Sequence, residues 1–205
     1  MIIEQILTNC LSQMSYFIES NGEAIIIDPL REIEPYISRA KKYNAKIKYI
    51  FETHFHADFI SGHLPLSKHT GAQIVFGPMA IPKFDCIVLN DSEELIVGNL
   101  KIVALHTPGH TMESTCYLLK DENGKNHSLF TGDTLFLGDV GRPDLAQKSK
   151  QKLSEKYLAK LLYKSLRDKI FPLEDNVVIY PSHGFGSACG KKISKKTMAF
   201  LGDEK

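Results

Sequence analysis

Charge of one sign is missing from this chain: 25 lysines and arginines stand against 24 aspartates and glutamates, a formal net charge of +1. A near-neutral surface carries no general attraction for nucleic acid or for an anionic membrane. Long apolar runs are missing as well. None approaches the roughly 20 residues that a bilayer-spanning helix needs. Met1-Ile2-Ile3-Glu4-Gln5 has no basic stretch ahead of an apolar one, so a secretory signal is not expected. The four cysteines (Cys10, Cys86, Cys116 and Cys189) are scattered, with no C-x-x-C pair. Without a signal they are expected to be reduced thiols in a cytoplasmic setting. No internal repeat or low-complexity linker interrupts the 205 residues, a length that suits one domain with a substantial core. Lysines gather at 148–169 and 191–196 and read as solvated helix and tail surface rather than a binding patch.

Hydrophobic periodicity outlines the elements. Asn21-Gly22 between Tyr16-Phe17-Ile18 and Ala24-Ile25-Ile26-Ile27 predicts a hairpin, closed by Asp28-Pro29. Glu32 to Tyr43 has helical spacing, with Ile33, Tyr36, Ile37 and Ala40 on one face. A buried strand is predicted over Ile47–Phe51, then a helix within His56–His69 with Ile60, Leu64 and Leu66 as its apolar contacts. Short strands are predicted at 73–76, 86–89, 94–97, 100–106, 114–119 and 128–132. A helix follows over Ser149–Leu166, with Leu153, Tyr157, Leu161 and Leu162 on its apolar face, and Val177–Tyr180 is the last buried strand. Cys10, Cys86 and Cys116 sit in or beside apolar strand patterns and read as core. Strands before, between and after helices point to two packed sheets with helices outside.

The chemistry concentrates where the apolar segments stop. Thr53-His54-Phe55-His56-Ala57-Asp58 places three metal-competent side chains at alternate positions just after a strand, and imidazoles with a carboxylate suit a divalent metal. Thr107-Pro108-Gly109-His110, Thr131-Gly132-Asp133-Thr134 and Pro181-Ser182-His183-Gly184 each end an apolar segment beside glycine or proline. One site fed by several strand-end loops is the economical reading. Taken singly, each motif is as readily a turn. His63 is open to two readings, an approach to the site from the helix start or an ordinary surface or N-terminal helix residue, and His69, His106 and His127 are read as structural or surface residues. Arg142 is open to two readings, a partner for a substrate carboxylate or a loop-fixing ion pair. Cys189, six residues after His183, is either an acceptor facing the cleft or an incidental buried thiol.

In order and type, His54, His56, Asp58, His110, Asp133 and His183 resemble the metallo-β-lactamase superfamily pattern of H-x-H-x-D-H, then a lone His, Asp and His. The resemblance runs over about residues 1–190. It implies an α/β (α+β) fold, a four-layer αββα sandwich, with a catalytic domain over 1–190. Residues 191–205 then form a polar tail and a possible start of a linker to a missing rhodanese-like sulfurtransferase domain. In the family an aspartate at the position of Asp28 lies beneath the metal and supports a ligand; a simple turn former is the alternative. The sixth position of the first motif is Phe59, where the family has a histidine that helps hold a second metal. A single-metal branch, the sulfur or persulfide dioxygenases, is also similar in His56-Ala57-Asp58, in 138–144 and in Ser187-Ala188-Cys189-Gly190.

That branch implies one Fe(II) held by His54, His110 and Asp133. His56, Asp58 and His183 then serve as catalytic groups that orient water and the ligand imidazoles, and Arg142 and Cys189 as substrate contacts. It implies a low-molecular-weight thiol persulfide and O2 as substrates, sulfite and thiol as products, a role in sulfide detoxification, and a homo-oligomer. The alternative is a zinc-dependent thioester hydrolase of the hydroxyacylglutathione type, with His56 completing a three-imidazole site around a metal that acidifies water. A third reading is a binding or sensor domain without turnover.

Overall fold

The computed structural model describes residues 1–8, 10–145 and 154–205. The first sheet takes β1 (Ile2–Thr8), β2 (Gln13–Ser20), β3 (Glu23–Ile27), β4 (Lys46–Phe51), β5 (Gln73–Phe76) and β6 (Ile87–Val88) in that spatial order. The second takes β7 (Glu94–Val97), β8 (Leu100–His106), β9 (Thr115–Lys120), β10 (Asn126–Gly132), β11 (Val178–Pro181) and β12 (Ala199–Phe200), again in order. Helices α1 (Glu34–Lys42), α2 (His63–Thr70) and α3 (Glu155–Ser165) pack outside. Among the described residues no helix is long and apolar enough to cross a membrane.

Strand alternation divides the apolar residues into three interfaces. Tyr16, Ile18, Ile25, Ile27 and Phe51 of the first sheet meet Ile102, Ala104, Tyr117, Leu119 and Phe130 of the second. Phe17, Ala24, Ile26, Ile47 and Ile50 face the other way, onto Tyr36, Ile37 and Leu66 of α1 and α2. Val103, Cys116, Leu118 and Leu129 pack under Leu162 of α3 and under Leu166 and Ile170 of the π-helical turn that continues it. Sheets buried on both faces explain why Ala24-Ile25-Ile26-Ile27 is apolar without alternation. The layers are α, β, β, α, the expected sandwich.

Strand direction sets the site. β3 and β4 are parallel. β8 is antiparallel to β9, β9 antiparallel to β10, and β10 parallel to β11, so β8, β10 and β11 run the same way. The residues just past the ends of β3, β4, β8, β10 and β11 therefore open on one rim, the usual place for ligands in sheets with parallel strands.

Four expectations need correction. The helix expected within 56–69 starts only at His63, because Ser61 bridges Leu30 and the Gly62 N–H donates to the Pro29 carbonyl at 2.8 Å. A Cβ on Gly62 would lie 2.0 Å from the Leu30 oxygen, so this pairing requires glycine. Ile60 and Leu64 are consequently exposed and only Leu66 is buried. Cys10 is exposed and Cys86 half-buried, leaving Cys116 as the one core thiol of those three. The lysine-rich segment 191–205 is not solvated throughout: β12 pairs with β11, while Ile193 and Leu201 are buried. Its few apolar residues were masked by the charge around them. Of the helix expected over Ser149–Leu166, residues 149–153, Leu153 included, lie outside the described residues, and on its described part Leu158 and Leu162 are buried whereas Tyr157, expected on the apolar face, is exposed.

Candidate metal centre

Three side chains from three strand ends converge. His54 follows β4, His110 follows β8 and Asp133 follows β10, and all three are buried. His54 Nε2 lies 3.9 Å and His110 Nε2 3.6 Å from Asp133 Oδ2. One ligand atom of each falls within 4.8 Å of the others.

Hydrogen-bond partners assign the tautomers. The His110 Nδ1–H donates to the Arg142 carbonyl at 3.1 Å, and a carbonyl can only accept, so in the neutral ring Nε2 carries the lone pair. The Thr53 hydroxyl donates to Asp28 Oδ2 at 2.8 Å, which leaves its oxygen to accept from His54 Nδ1 at 3.0 Å. His54 Nε2 is thereby also a free acceptor. On Asp133, Oδ1 receives His183 Nδ1–H at 2.7 Å, whereas the buried Oδ2 has no hydrogen-bond partner. Three acceptors face one another with no donor among them, and a divalent cation fits that set.

The electrostatics agree. Burial, reinforced by the charge of His56, pushes His54 down to about 3, so it is neutral. Burial alone would raise the Asp133 carboxyl, but the His183 charge and hydrogen bond, with His54 and His110 beside it, hold it well below the usual range. Burial opposes charge on His183, yet the Asp133 and Asp58 carboxylates raise it to about 10.

His56 lies beside the triad but is not among the convergent atoms. Its Nε2 is 3.1 Å from Asp28 Oδ1 and 3.6 Å from Glu52 Oε2, and its ring lies against Phe59 with centroids 4.3 Å apart. Despite the burial penalty, those carboxylates raise His56 to about 9. Asp28, in the left-handed region at φ 51°, accepts from the Thr53 N–H at 2.8 Å, from the Thr53 hydroxyl and from Ser182. It thus supports His54 through Thr53 rather than merely turning the chain.

Asp58, His183 and Cys189 form an adjoining group with ligand atoms within 4.8 Å of one another. The Cys189 thiol is pushed well up by burial and then by Asp133, so it is not a thiolate nucleophile as it stands. The Arg142 guanidinium is held by both Asp144 oxygens, with Nε to Oδ1 at 3.1 Å. Its hydrogen bonds match the loop-fixing ion pair.

Sequence reasoning missed Glu52, and of its two readings of His63 the structure matches the approach from the helix start. Glu52 is buried, accepts from Ser61 and lies 3.2 Å from His63 Nδ1. A carboxylate ending an apolar strand, immediately before Thr-His, was the available signal.

The family model described as Metallo-beta-lactamase superfamily matches residues 8–183. The cytoplasmic hydroxyacylglutathione hydrolase of Arabidopsis thaliana is 35% identical over 132 residues, 62% of this chain and 51% of that protein. The mitochondrial persulfide dioxygenase of Homo sapiens is 32% identical over 166 residues, 80% of this chain and 59% of that protein. Among solved structures, the metallo-beta-lactamase from Staphylococcus aureus subsp. aureus COL superposes with a TM-score of 0.90 at 36% identity, covering 99% of this chain and 61% of that one. The chain thus spans only about half to three fifths of the length of these relatives.

Proposed function

The chain belongs to the metallo-β-lactamase superfamily, and on that footing we propose that it is a persulfide dioxygenase using one non-haem Fe(II). The observation that carries the reading is the division of labour among the histidines. His54 and His110 turn their Nε2 atoms toward Asp133 Oδ2, whereas His56 is held by Asp28 and Glu52. Two imidazoles and one carboxylate are the donor set of ferrous oxygenases that leave positions open for substrate and dioxygen. A ferrous ion bound there would supply the oxidising chemistry. The net change is R–S–SH + O2 + H2O to R–SH + sulfite + two protons.

The residues around the triad supply position and charge. Arg142 and Thr53 fix the two imidazole orientations. His183 keeps Asp133 ionised and occupies its Oδ1, so that Oδ2 alone faces inward. Asp58 and Cys189 stand beside His183, where they can meet the sulfur end of a substrate.

The second reading, a metal-dependent thioester hydrolase, is favoured by one finding: hydroxyacylglutathione hydrolases are as similar to this chain as persulfide dioxygenases are. One experiment separates them. Protein loaded anaerobically with Fe(II) receives glutathione persulfide, and oxygen uptake and sulfite are measured. Uptake matched by sulfite and lost in His110→Ala is the expected result. Iron-loaded protein that consumes no oxygen with several small persulfides, yet cleaves a glutathione thioester without oxygen, overturns the reading in favour of the hydrolase.

A further inference from the structure

Exposed apolar side chains are not spread evenly over this sandwich. The loops at the end away from the triad, 21–22, 43–45, 71–72, 98–99 and 121–125, expose no large apolar side chain. The loops on the triad's rim do. Phe55 and Ile60 lie in the loop after β4, Met79 and Ile81 after β5, Leu145 after β10 and Phe185 after β11, and each is between 38% and 88% exposed. β5 runs parallel to β4, so its end opens on the same rim. We propose that this rim is a substrate subsite for an apolar organic group, so that the sulfur compound turned over at the triad carries an alkyl or aryl substituent rather than a charged peptide.

Single exposed apolar residues are ordinary, but a cluster of them around one concave site marks a contact surface. Phe55 stands between His54 and His56, and Phe185 is two residues past His183. The Phe55 ring is set against Phe76 with centroids 4.9 Å apart, and its N–H donates to Glu113 of the His110 loop at 3.1 Å. Gly77 brings the next loop in: a Cβ there would fall 1.9 Å from the Thr115 hydroxyl oxygen. Two residues on, Met79 is held at φ 66°, a left-handed conformation that L side chains rarely adopt, and its side chain is turned to solvent. Charged groups among these loops are already committed. Asp58 pairs with His183 at 2.8 Å, Arg142 with Asp144, Glu113 with the Phe55 N–H, and the Lys195 ammonium lies over the Phe185 ring at 5.4 Å. A glutathionyl group would bring carboxylates and an ammonium to apolar side chains, where they lose water without gaining partners. An alkyl or aryl group removes apolar surface from water on both sides of the contact. The inference rests on the proposed dioxygenase only for what happens at the sulfur; the apolar subsite is read independently of turnover.

The test has two arms, both on the full chain. In the first, 4-fluorobenzyl methyl thioether, which has no S–H bond to react, is titrated and followed by fluorine NMR. The expected result is saturable binding that weakens about fivefold in Phe185→Ser and in Phe55→Ser. It should be unchanged in Ile96→Ser, which removes a side chain of similar exposure, 55%, from an edge strand. In the second arm, oxygen uptake by Fe(II)-loaded protein compares benzyl persulfide with glutathione persulfide. The expected kcat/KM is about tenfold higher for benzyl persulfide, with the rim substitutions raising its KM and leaving kcat unchanged. A thioether that does not bind saturably, binding that neither rim substitution weakens, or a preference for glutathione persulfide overturns the proposal. If Phe55→Ser does not fold, Phe185→Ser decides. Thioether binding by protein that oxidises no persulfide upholds the subsite and overturns the dioxygenase reading alone; oxygen uptake without thioether binding does the reverse.

Discussion

Gly141 is the position at which a single methyl group should disable the triad without touching a donor atom. A Cβ built there falls 1.8 Å from the Asp133 carbonyl oxygen and 3.1 Å from the His110 Cβ. Real Cβ contacts do not fall below 3.0 Å, so the Asp133 backbone has to retreat by at least the 1.2 Å between 1.8 and 3.0. Both neighbours carry donor atoms, and the crowding atom is backbone, which cannot swing aside as a long side chain can. Functional groups work within about 0.5 Å of their geometry, and a misplacement of about 1 Å costs roughly 100-fold. Gly141→Ala should therefore weaken metal binding roughly 100-fold, equivalent to about 2.7 kcal/mol. The assay is competition against a chromophoric chelator, with circular dichroism to verify the fold. Gly22→Ala is the control: it has φ +78° and nothing within 4 Å, so it pays about 1–2 kcal/mol of backbone strain and leaves metal affinity unchanged. A folded Gly141→Ala protein that binds metal within twofold of the parent would refute the reasoning.

Thr53→Val keeps the shape but removes the hydroxyl that bridges His54 Nδ1 to Asp28; metal affinity should fall about 10–100-fold, as for other groups that orient a ligand, and equal affinity in the same competition assay would count against the tautomer assignment. Glu4 is held down to about 2 first by the hydrogen bond from Tyr43, against a burial penalty, and then by Lys42 and Arg39. Because this folded value lies below the ordinary 4.5, its stabilisation is full above 4.5 and is lost as the pH falls through 2. Glu4→Gln should lower stability at pH 7 and flatten the acid dependence between those limits in urea unfolding; parallel pH curves for variant and parent would exclude the role.

What could be read before the fold was known follows a physical line. The hairpin at Asn21-Gly22 was legible because its turn needs positive φ at both residues, and both have it. That the loops carrying His54, His110 and Asp133 meet was legible because each follows an apolar run, and strand ends are where chemistry gathers; singling out these three from His56, Asp58 and His183 came from the family resemblance. The late start of α2 was not: it depends on Gly62 lying against the Leu30 carbonyl, 32 positions away, and local propensity carries no trace of that contact. Nor was the partner of His110, because the Arg142 group that orients it is a backbone carbonyl, which every residue owns. Glu52 was passed over for another reason. It fits no spacing of its own, and only the bend after β4 brings it against His56 and His63.

Two imidazoles two residues apart show how the fold sorts donors from acceptors. The rings of His54 and His56 are 4.2 Å apart and both are buried, yet one is held near 3 and the other near 9. Burial penalises charge on each alike. The difference is what faces them. His56 meets the carboxylates of Asp28 and Glu52, so a proton there is neutralised in place. His54 meets the cationic His56 behind it and two further acceptors, His110 Nε2 and Asp133 Oδ2, in front. The chain has donors to spend in this region, and it spends them outward: Ser182 and Thr53 on Asp28, and His183 Nδ1–H on the far oxygen of Asp133. A purely structural polar core would have turned one of them inward, because each buried acceptor left bare costs about 1–3 kcal/mol. Leaving the inner atoms bare is a cost that a bound cation, and not packing, recovers.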